Sequence, residues 1–311
     1  GRSGWFWLTQ TSKLASGLVK AAPVNIRLSW GTMEGLHWSR PGAPRLLCLH
    51  GWLDNAASFV PLAPFLRDFD VLAVDFAGHG FSSHRPATSQ YYFSDNLFDL
   101  DMALDVLGWE KCHMVGHSMG GGVASCFAAA MPERVDRLIL LDAVGIITLP
   151  ADQTARQLRA SMKSVRKHRG YLRPYQSVEE AMQARQKNAP LSDEAARLLC
   201  ERSLEHTGDF YQWRTDPRLN WRSPQFQGDL QALNLLAAIR SPTLVMTSPA
   251  ALEYLGEEMM RKRLSAIGDC THVANDGHHH FHMEQAEYTG ACITEFLLQT
   301  EHSQGANHDD R

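Results

Sequence analysis

The fold is decided by residues 112–130, which read CHMVGHSMGGGVASCFAAA. The first five residues are mostly apolar and predict a buried strand, and the small apolar residues from Met119 onward predict a tightly packed helix. Between them, residues 116–120 read GHSMG and match the pattern G-x-S-x-G. Between a strand and a helix, this pattern holds the serine in a sharp, strained turn with its hydroxyl exposed above a sheet. Ser118 is therefore the candidate nucleophile.

Outward from this stretch, strand and helix patterns alternate along the chain. Strands are predicted at 27–30, 36–38, 45–50, 69–75, 112–116, 135–142, 242–246 and 271–274. Helices are predicted at about 55–66, 94–107, 119–130, 257–267 and 284–298. Because neighbouring parallel strands need crossover connections, this rhythm predicts an α/β fold with a mostly parallel central sheet.

The alternation stops between residues 143 and 239, where the sequence is rich in Arg, Gln and Glu and has helical periodicity. We expect 143–239 to form a helical cap inserted into a core built from 25–142 and 240–299. Residues 1–24 form an N-terminal segment, and residues 300–311 form a polar tail.

Composition limits the classes of function. The 311 residues are 44% hydrophobic and 21% charged with a net charge of −4, as in an ordinary soluble globular protein. Lys and Arg are spread along the chain, so nucleic acid is not an expected partner. No stretch reaches the ~20 apolar residues that span a bilayer. The chain opens without the apolar run of a signal peptide, and its six cysteines lack metal or disulfide-scaffold spacing. We expect a cytoplasmic protein.

A serine nucleophile needs a base, and the segment after the last predicted strand offers one. Residues 275–284 read NDGHHHFHME and contain four histidines. A metal site is not favoured here, because ligands from one short run rarely converge on one point. No cofactor is expected.

An oxyanion hole needs two main-chain N–H donors. Met119, which follows the nucleophile, supplies one. The loop after the strand at 45–50 supplies the other from Trp52, and Gly51 lets that backbone approach closely. Gly51 and His117 are also candidate substrate-binding residues.

These segments together resemble the α/β-hydrolases that carry a helical cap, and they are similar to the serine hydrolase-like members. The matching stretches are LHGWLDN (49–55), VDFAGHG (74–80), GHSMGG (116–121), MPERV (131–135) and HHFHME (279–284). The resemblance implies an α/β-hydrolase fold with helices on both faces of its sheet. It also implies His279 rather than His278 as the base, since the catalytic histidine of similar enzymes lies five residues before the glutamate that opens the last helix.

The acid of the triad is left open. Similar enzymes carry it in a Gly-x-x-Asp pattern after the strand at 242–246, where this chain has Ala251 at the expected position. Asp142, at the end of the preceding core strand, and Glu253, two residues past the usual place, are the candidate replacements. The third alternative is that no acid is present.

Two functions from different classes fit these residues. The first is a serine hydrolase that cleaves a small-molecule ester through an acyl-enzyme, with cap aromatics such as Tyr211 and Trp213 as candidate pocket walls. The same machinery also cleaves thioester, amide, lactone or carbon–carbon bonds. The second is a hydrolase-like protein that binds a ligand with little or no turnover.

Overall fold

The computed structural model of the protein describes residues 19–167 and 172–299. The predicted polar tail, 300–311, lies outside the described residues, as do residues 1–18 of the predicted N-terminal segment.

One eight-stranded sheet forms the centre of the molecule. Its strands are β1 Ala22–Arg27, β2 Thr32–Trp38, β3 Arg45–Leu49, β4 Asp70–Val74, β5 Cys112–His117, β6 Val135–Leu141, β9 Thr243–Thr247 and β10 Cys270–Ala274. Their order in space is β1-β2-β4-β3-β5-β6-β9-β10. The pairs β1–β2 and β2–β4 are antiparallel and all the others are parallel, which confirms the predicted mostly parallel sheet.

Helices cover both faces of this sheet, as predicted. The helices of the described residues are α1 Asp95–Leu107, α2 Met119–Ala130, α3 Thr154–Lys167, α4 Val178–Gln186, α5 Asp193–Ser203, α6 Asp229–Ala238, α7 Pro249–Leu255, α8 Glu257–Ala266, α9 Phe281–Glu284 and α10 Ala286–Leu298. On one face, α1, α2, α6 and α8 bury residues such as Leu104 and Phe127 against the strands. On the other, α10 buries Ile293 in a second cluster, which also contains Phe59. No helix among the described residues is long and apolar enough to cross a bilayer.

The first predicted strand is displaced. The sequence predicted strands at 27–30 and 36–38, but β1 ends at Arg27, β2 already begins at Thr32, and the turn between them lies at 28–31, where Leu28 N donates to Gly31 O at 2.8 Å. Gly35 instead lies inside β2, where a Cβ atom would come within 2.5 Å of the carbonyl oxygen of Ala73 on β4. This glycine therefore permits close strand pairing and does not mark a turn.

The predicted helix at 55–66 is wrong. The structure has two short 3₁₀ turns there, Ala56–Phe59 and Ala63–Phe65. Pro61 and Pro64 lack the N–H that an α-helix interior requires, and their rings clash with the preceding turn. The chain therefore crosses this face of the sheet in two separate turns.

The insertion between 143 and 239 is not purely helical, and its last helix belongs to the core layer. It contains a small hairpin, β7 Leu204–His206 with β8 Tyr211–Trp213, besides its helices. Helix α6 packs into the core through the buried side chain of Leu236. The rest has a cluster of its own, formed by Tyr175, Ala181, Met182, Leu191, Ala195, Ala196, Leu199, Cys200 and Leu204 together with Met283. The division into core and cap at 143 and 239 stays a prediction.

The aromatic side chains of β8 pack inside the insertion. Trp213 meets Tyr175 edge-on with ring centroids 5.7 Å apart, and Tyr211 packs against the same cluster. This packing favours a structural role for Tyr211 and Trp213 over the role of pocket walls.

Two ion pairs join the insertion to the sheet. Arg202 of α5 forms bonds of 2.8–3.0 Å with both carboxylate oxygens of Asp75, which follows β4 and is fully buried. Arg185 of α4 pairs with Asp54, which is also buried. Because a buried carboxylate without a partner carries a large desolvation cost, these pairs make the position of α4 and α5 dependent on the loops after β3 and β4.

The six cysteines are all free thiols, and four of them are buried. Burial raises the pKa of Cys112 and Cys126 to about 12 and that of Cys200 to about 11. Since the thiolate is the reactive form, these cysteines are poor nucleophiles at neutral pH.

Two arginines of α5 give a direct test of the buried contact. We expect Arg202→Ala to lower the free energy of unfolding by about 3–5 kcal/mol, because Asp75 would be left charged, buried and without its arginine. Arg197→Ala, on the same helix as Arg202, removes an exposed pair with Glu179 of α4 and should change stability little. Urea unfolding followed by circular dichroism measures both. Equal effects of the two substitutions would contradict the assignment.

Candidate active site

Ser118 lies in the turn between β5 and α2, with φ 54° and ψ −118°. This backbone conformation is strained for a residue with a side chain, and the surrounding structure holds it. A Cβ atom on Gly116 would come within 2.4 Å of the carbonyl oxygen of Gly120, and one on Gly120 would come within 2.2 Å of the carbonyl oxygen of Leu49. The two glycines of the pattern are thus required by close backbone contacts on both sides of the serine.

His279 meets Ser118 from the loop that follows β10. Its Nε2 lies 2.9 Å from Ser118 Oγ, within hydrogen-bond distance. The side chain is 37% exposed, so the pair is open to solvent. His278 is also exposed, and within the described residues it has no hydrogen bond to Ser118. Of the two histidines, His279 is thus the one that lies within hydrogen-bond distance of Ser118.

Asp142 holds the other nitrogen of His279. It follows β6 with φ 51°, and its Oδ2 lies 2.5 Å from His279 Nδ1. Ser248 donates to both carboxylate oxygens, from its N–H at 2.7 Å and from its hydroxyl at 2.9 Å. With Nδ1–H donating to Asp142, the lone pair of His279 Nε2 is directed at the serine hydroxyl.

Glu253, the alternative acid, lies elsewhere. It is exposed on α7, and among the described residues it forms no hydrogen bond to His279. Residues 248–251, where similar enzymes carry their acid, instead begin α7, with Ser248 as N-cap and Pro249 in the first turn. Serine followed by proline is a sequence signal for a helix start. That signal predicts α7 but not the contact of Ser248 with Asp142.

The residues that carry the two predicted oxyanion donors lie beside Ser118. Met119 N–H is at the N-terminus of α2, where helix N–H groups have no intrahelical acceptor. A Cβ atom on Gly51 would lie 3.4 Å from Ser118 Cβ, so the loop that carries Trp52 passes directly over the serine. Within the described residues, neither the N–H of Trp52 nor that of Met119 has a hydrogen-bond partner.

The buried side chain of His50 fixes the orientation of the peptide that carries the Trp52 N–H. His50 Nδ1 donates to the carbonyl oxygen of Gly51 at 2.6 Å, and His50 Nε2 accepts from Phe76 N at 3.0 Å. The C=O and N–H of a trans peptide point in opposite directions. Because the Gly51 carbonyl is held toward His50, the Trp52 N–H is directed away from it. Sequence analysis did not identify this role of His50.

A second buried histidine holds the next residue of this loop. Leu53 has φ 62°, and its N–H donates to His79 Nε2 at 3.1 Å. His79 Nδ1 donates in turn to the carbonyl oxygen of Ala77 at 3.0 Å, which fixes the tautomer. Burial is the main reason that the pKa of His79 is lowered to about 3, so the ring remains a neutral acceptor.

His117 is buried behind His279 and does not face open space. Its Nε2 donates to the carbonyl oxygen of His279 at 2.7 Å, so the lone pair of Nδ1 is directed inward, 3.9 Å from Asp54 Oδ2. His280 Nε2 donates to the same oxygen of Asp54 at 2.9 Å, and His282 lies 2.6 Å from Ser58. This geometry favours a role for His117 in positioning the His279 backbone over the predicted contact with substrate.

The same cluster has the spacing of a possible metal site. Ligand atoms of Asp54, His117 and His280 all lie within 4.8 Å of one another, and all three residues are buried. Burial tends to raise the pKa of Asp54, but Arg185 and His280 outweigh it and lower that pKa well below its usual range. Since the guanidinium already neutralises the carboxylate, a divalent cation would add an uncompensated buried charge, and the donor set does not favour one.

Comparison with known proteins assigns the family. A model described as the alpha/beta hydrolase fold matches residues 44–278. The chain belongs to the α/β-hydrolase fold family. A serine hydrolase-like protein of Dictyostelium discoideum is 32% identical over 289 residues, covering 87% of this chain and 77% of that protein. A serine hydrolase-like protein of Danio rerio is 30% identical over 311 residues, covering 94% of each.

A solved structure agrees with this assignment. The crystal structure of a hypothetical protein from Pseudomonas aeruginosa PAO1 has a TM-score of 0.81 and 34% sequence identity, and the match covers 89% of this chain and 98% of that one. The suspected resemblance to the serine hydrolase-like α/β-hydrolases is thus confirmed. This α/β-hydrolase belongs to a fold whose members act on small molecules.

The histidines inside this α/β-hydrolase couple its stability to pH. Burial is the main cause that lowers the pKa values of His50, His79, His117 and His282 in the folded protein. In the unfolded chain each titrates near pH 6.5. Below that pH the unfolded chain binds protons that the folded protein does not, so stability is full above about pH 6.5 and falls as the pH decreases.

We expect the free energy of unfolding to fall between about pH 6.5 and 5.5, by roughly 1 kcal/mol per pH unit for each of these histidines. Urea unfolding at several pH values measures the slope. His79→Gln should make the slope shallower by the contribution of one histidine. His278→Gln changes an exposed histidine in the loop after β10 and serves as the control. A stability that stays flat over this range would contradict the buried, neutral state of the cluster.

Proposed function

We propose that this α/β-hydrolase cleaves carboxylic esters through an acyl-enzyme, with Ser118 as nucleophile, His279 as base and Asp142 as acid. The observation that carries the proposal is the continuous chain of hydrogen bonds from Asp142 Oδ2 through both ring nitrogens of His279 to Ser118 Oγ, at 2.5 and 2.9 Å. A serine hydroxyl with a base in contact, and a base oriented by a carboxylate, is the arrangement that nucleophilic acyl transfer requires.

In the acylation step, Ser118 Oγ attacks the carbonyl carbon of the ester while His279 Nε2 takes the hydroxyl proton. The carbonyl π electrons move to oxygen and form a tetrahedral oxyanion. When that intermediate collapses, the bond to the alkoxy group breaks and His279 gives its proton to the departing oxygen. The products are an alcohol and an acyl-Ser118 ester.

In the deacylation step, water takes the place of the alcohol. His279 Nε2 removes a proton from the water while the oxygen of that water attacks the acyl carbon. The proton then passes to Ser118 Oγ when the bond between the acyl group and the serine breaks. The carboxylic acid leaves and the free serine is restored. The proposed reaction uses no cofactor.

The oxyanion of both intermediates is bound by the N–H groups of Trp52 and Met119 in this proposal. Preorganised donors of this kind typically contribute about 10²- to 10³-fold in rate. His50 fixes the peptide that carries the Trp52 N–H, and His117 fixes the backbone of His279. We assign both as positioning residues, and Gly51 as the residue whose missing side chain lets the loop approach Ser118.

Asp142 stabilises the imidazolium that forms in each step. Ser248 supplies two hydrogen bonds to this carboxylate, which fix its orientation toward His279. The alternative of a ligand-binding protein without turnover was based on the missing acid after β9, and the contact between Asp142 and His279 weakens that argument. Thioester, amide, lactone and carbon–carbon bonds remain alternative targets, since their cleavage would use the same catalytic residues.

We expect hydrolysis of short p-nitrophenyl esters and labelling by a fluorophosphonate probe, because Ser118 has an oriented base in contact. Ser118→Ala and His279→Ala should each reduce turnover by roughly 10³-fold or more, and Ser118→Ala should abolish labelling. His278→Ala is the matched control and should retain activity. Absence of labelling in the folded parent protein would favour the ligand-binding alternative. A panel with matched thioester, amide and lactone substrates ranks the bond types by kcat/KM.

The acid is tested by a separate pair of variants. Asp142→Asn should reduce turnover by roughly 10³- to 10⁴-fold, because an amide no longer favours the productive tautomer of His279. Glu253→Gln should change turnover little, since Glu253 is exposed on α7. The assignment would be refuted if Glu253→Gln strongly reduced turnover while Asp142→Asn kept the turnover of the parent protein.

Ser248 offers a finer test of the same contact. We expect Ser248→Ala to lower kcat by about 10-fold with little change in KM, because one donor to Asp142 is lost while the substrate contacts remain. Ser248→Thr keeps the hydroxyl and should restore most of the activity. A Thr variant as slow as the Ala variant would show that the hydroxyl does not act through Asp142.

A further inference from the structure

Helix α3 of the insertion carries three stripes of different chemistry along its axis. Successive residues advance about 100° around an α-helix, so positions three or four apart share one stripe. The polar stripe consists of Gln157, Ser161 and Ser164. The apolar stripe, one residue further on at each position, consists of Leu158, Met162 and Val165. The basic stripe, one residue further again, consists of Arg159, Lys163 and Arg166.

The polar stripe attaches α3 to the rest of the protein. Gln157 Nε2 donates to the carbonyl oxygen of Ser223 at 2.7 Å, and the N–H of Arg222 donates to Ser164 Oγ at 2.9 Å. Ser161 is the one buried residue of the helix. This is the reverse of an ordinary surface helix, which buries its apolar stripe against a core.

The apolar stripe faces outward as a result. Leu158 is 47% exposed and Met162 is 55% exposed. Across the described parts of the chain, neither they nor Val165 belongs to a hydrophobic cluster. Hydrophobic burial within the described fold therefore does not account for the apolar residues of this stripe.

Further apolar side chains are exposed on the segments next to α3. Phe226 and Leu230 follow Ser223 along the chain, and Leu230 is 82% exposed. A parallel bridge between Thr148 and Gln227 brings exposed Ile147 beside this segment. The insertion thus presents apolar side chains on the two segments adjoining the helix as well as on the helix itself.

The basic stripe carries charge that the described fold does not neutralise. Arg156 and Lys167 extend it, so the 14 residues of α3 hold five cationic side chains and no acidic one, in a chain whose net charge is −4. In the described part of the molecule, none of the five pairs with a carboxylate. Other arginines of the insertion do form such pairs, namely Arg173, Arg185, Arg197, Arg202, Arg214 and Arg218.

We propose that α3 is a docking surface for anionic phospholipid membranes. The helix lies along the bilayer surface with its apolar stripe at the boundary between headgroups and acyl chains. The adjacent basic side chains extend to the lipid phosphates, as amphipathic cationic helices do at membranes. The attachment is peripheral, and it does not depend on the ester hydrolase function proposed above.

The chemistry of the stripes favours a membrane over other anionic or apolar partners. A symmetric contact between two copies of the chain would bring two sets of five like charges together. Nucleic acid would pair with the basic stripe but would leave Leu158 and Met162 in water, and α3 has no aromatic side chain for stacking on bases. An anionic lipid surface accommodates both stripes at once.

Co-sedimentation of the full chain with lipid vesicles tests the proposal. We expect binding to vesicles of phosphatidylcholine with about 30% phosphatidylserine, little binding to phosphatidylcholine alone, and loss of binding in about 0.5 M NaCl. The triple variant Arg159→Gln, Lys163→Gln, Arg166→Gln should lower the partition coefficient by on the order of 100-fold. The double variant Leu158→Gln, Met162→Gln should lower it by roughly 10-fold or more, because the apolar burial is lost.

The matched control removes three paired arginines of the insertion, Arg173→Gln, Arg197→Gln and Arg214→Gln, and so makes the same change in net charge. It should bind vesicles as the parent does. Thermal melts identify any variant that fails to fold. The proposal is overturned if the parent binds neutral and anionic vesicles alike or does not bind, or if the control loses as much as the α3 triple variant. It is also overturned if the α3 variants abolish RNA binding or dimerisation but not vesicle binding.

Discussion

The close approach of α2 to the end of β3 is the constraint on which the site depends. Gly120 lies so near the carbonyl oxygens of Leu49 and His50 that no side chain fits between them. This contact brings the N-terminus of α2 against the loop after β3, so Met119 and the loop that carries Trp52 both lie beside Ser118. Ser118 is the one residue between β5 and α2, and it changes the direction of the chain there with its strained φ of 54°. The contact between α2 and the end of β3 therefore positions both Ser118 and the residues that carry the proposed oxyanion donors.

Neutral histidines build most of the polar interior around that contact. Burial disfavours their protonated form, so each ring has one donor and one acceptor nitrogen, and in His50 and His79 both nitrogens are hydrogen-bonded. His50 and His79 orient the loop that carries Trp52, and His117 holds the backbone of the proposed base. Asp54 is buried in this interior as an ion pair with Arg185 of α4. Asp54 also accepts a hydrogen bond from His280, the residue after the proposed base. Through this contact, a shift of α4 would be transmitted to His279.

The sequence predicted structure that depends on neighbouring residues along the chain. It left open the contacts between residues that are distant in sequence. The strand, turn and helix around Ser118 follow from glycine spacing and apolar periodicity, and both are visible in the chain. The 3₁₀ turns before Leu66 were missed because the apolar pattern was given more weight than Pro61 and Pro64. The contacts of Ser248 and His50 have no sequence pattern, since each depends on residues from another strand. Similarly, composition averages over the chain and so concealed the basic stripe of α3.

The position of the proposed acid follows from the register of two parallel strands. Leu141 of β6 pairs with Met246 of β9, and the N–H of Asp142 donates to the Met246 carbonyl at 2.7 Å. The carboxyl ends of both strands therefore lie side by side, one strand spacing of about 4.8 Å apart. A carboxylate on either strand can reach the same ring nitrogen, provided that the other strand leaves room and supplies donors. In this chain β9 does so by starting α7 at Ser248, whose N–H and hydroxyl bind the carboxylate that β6 presents.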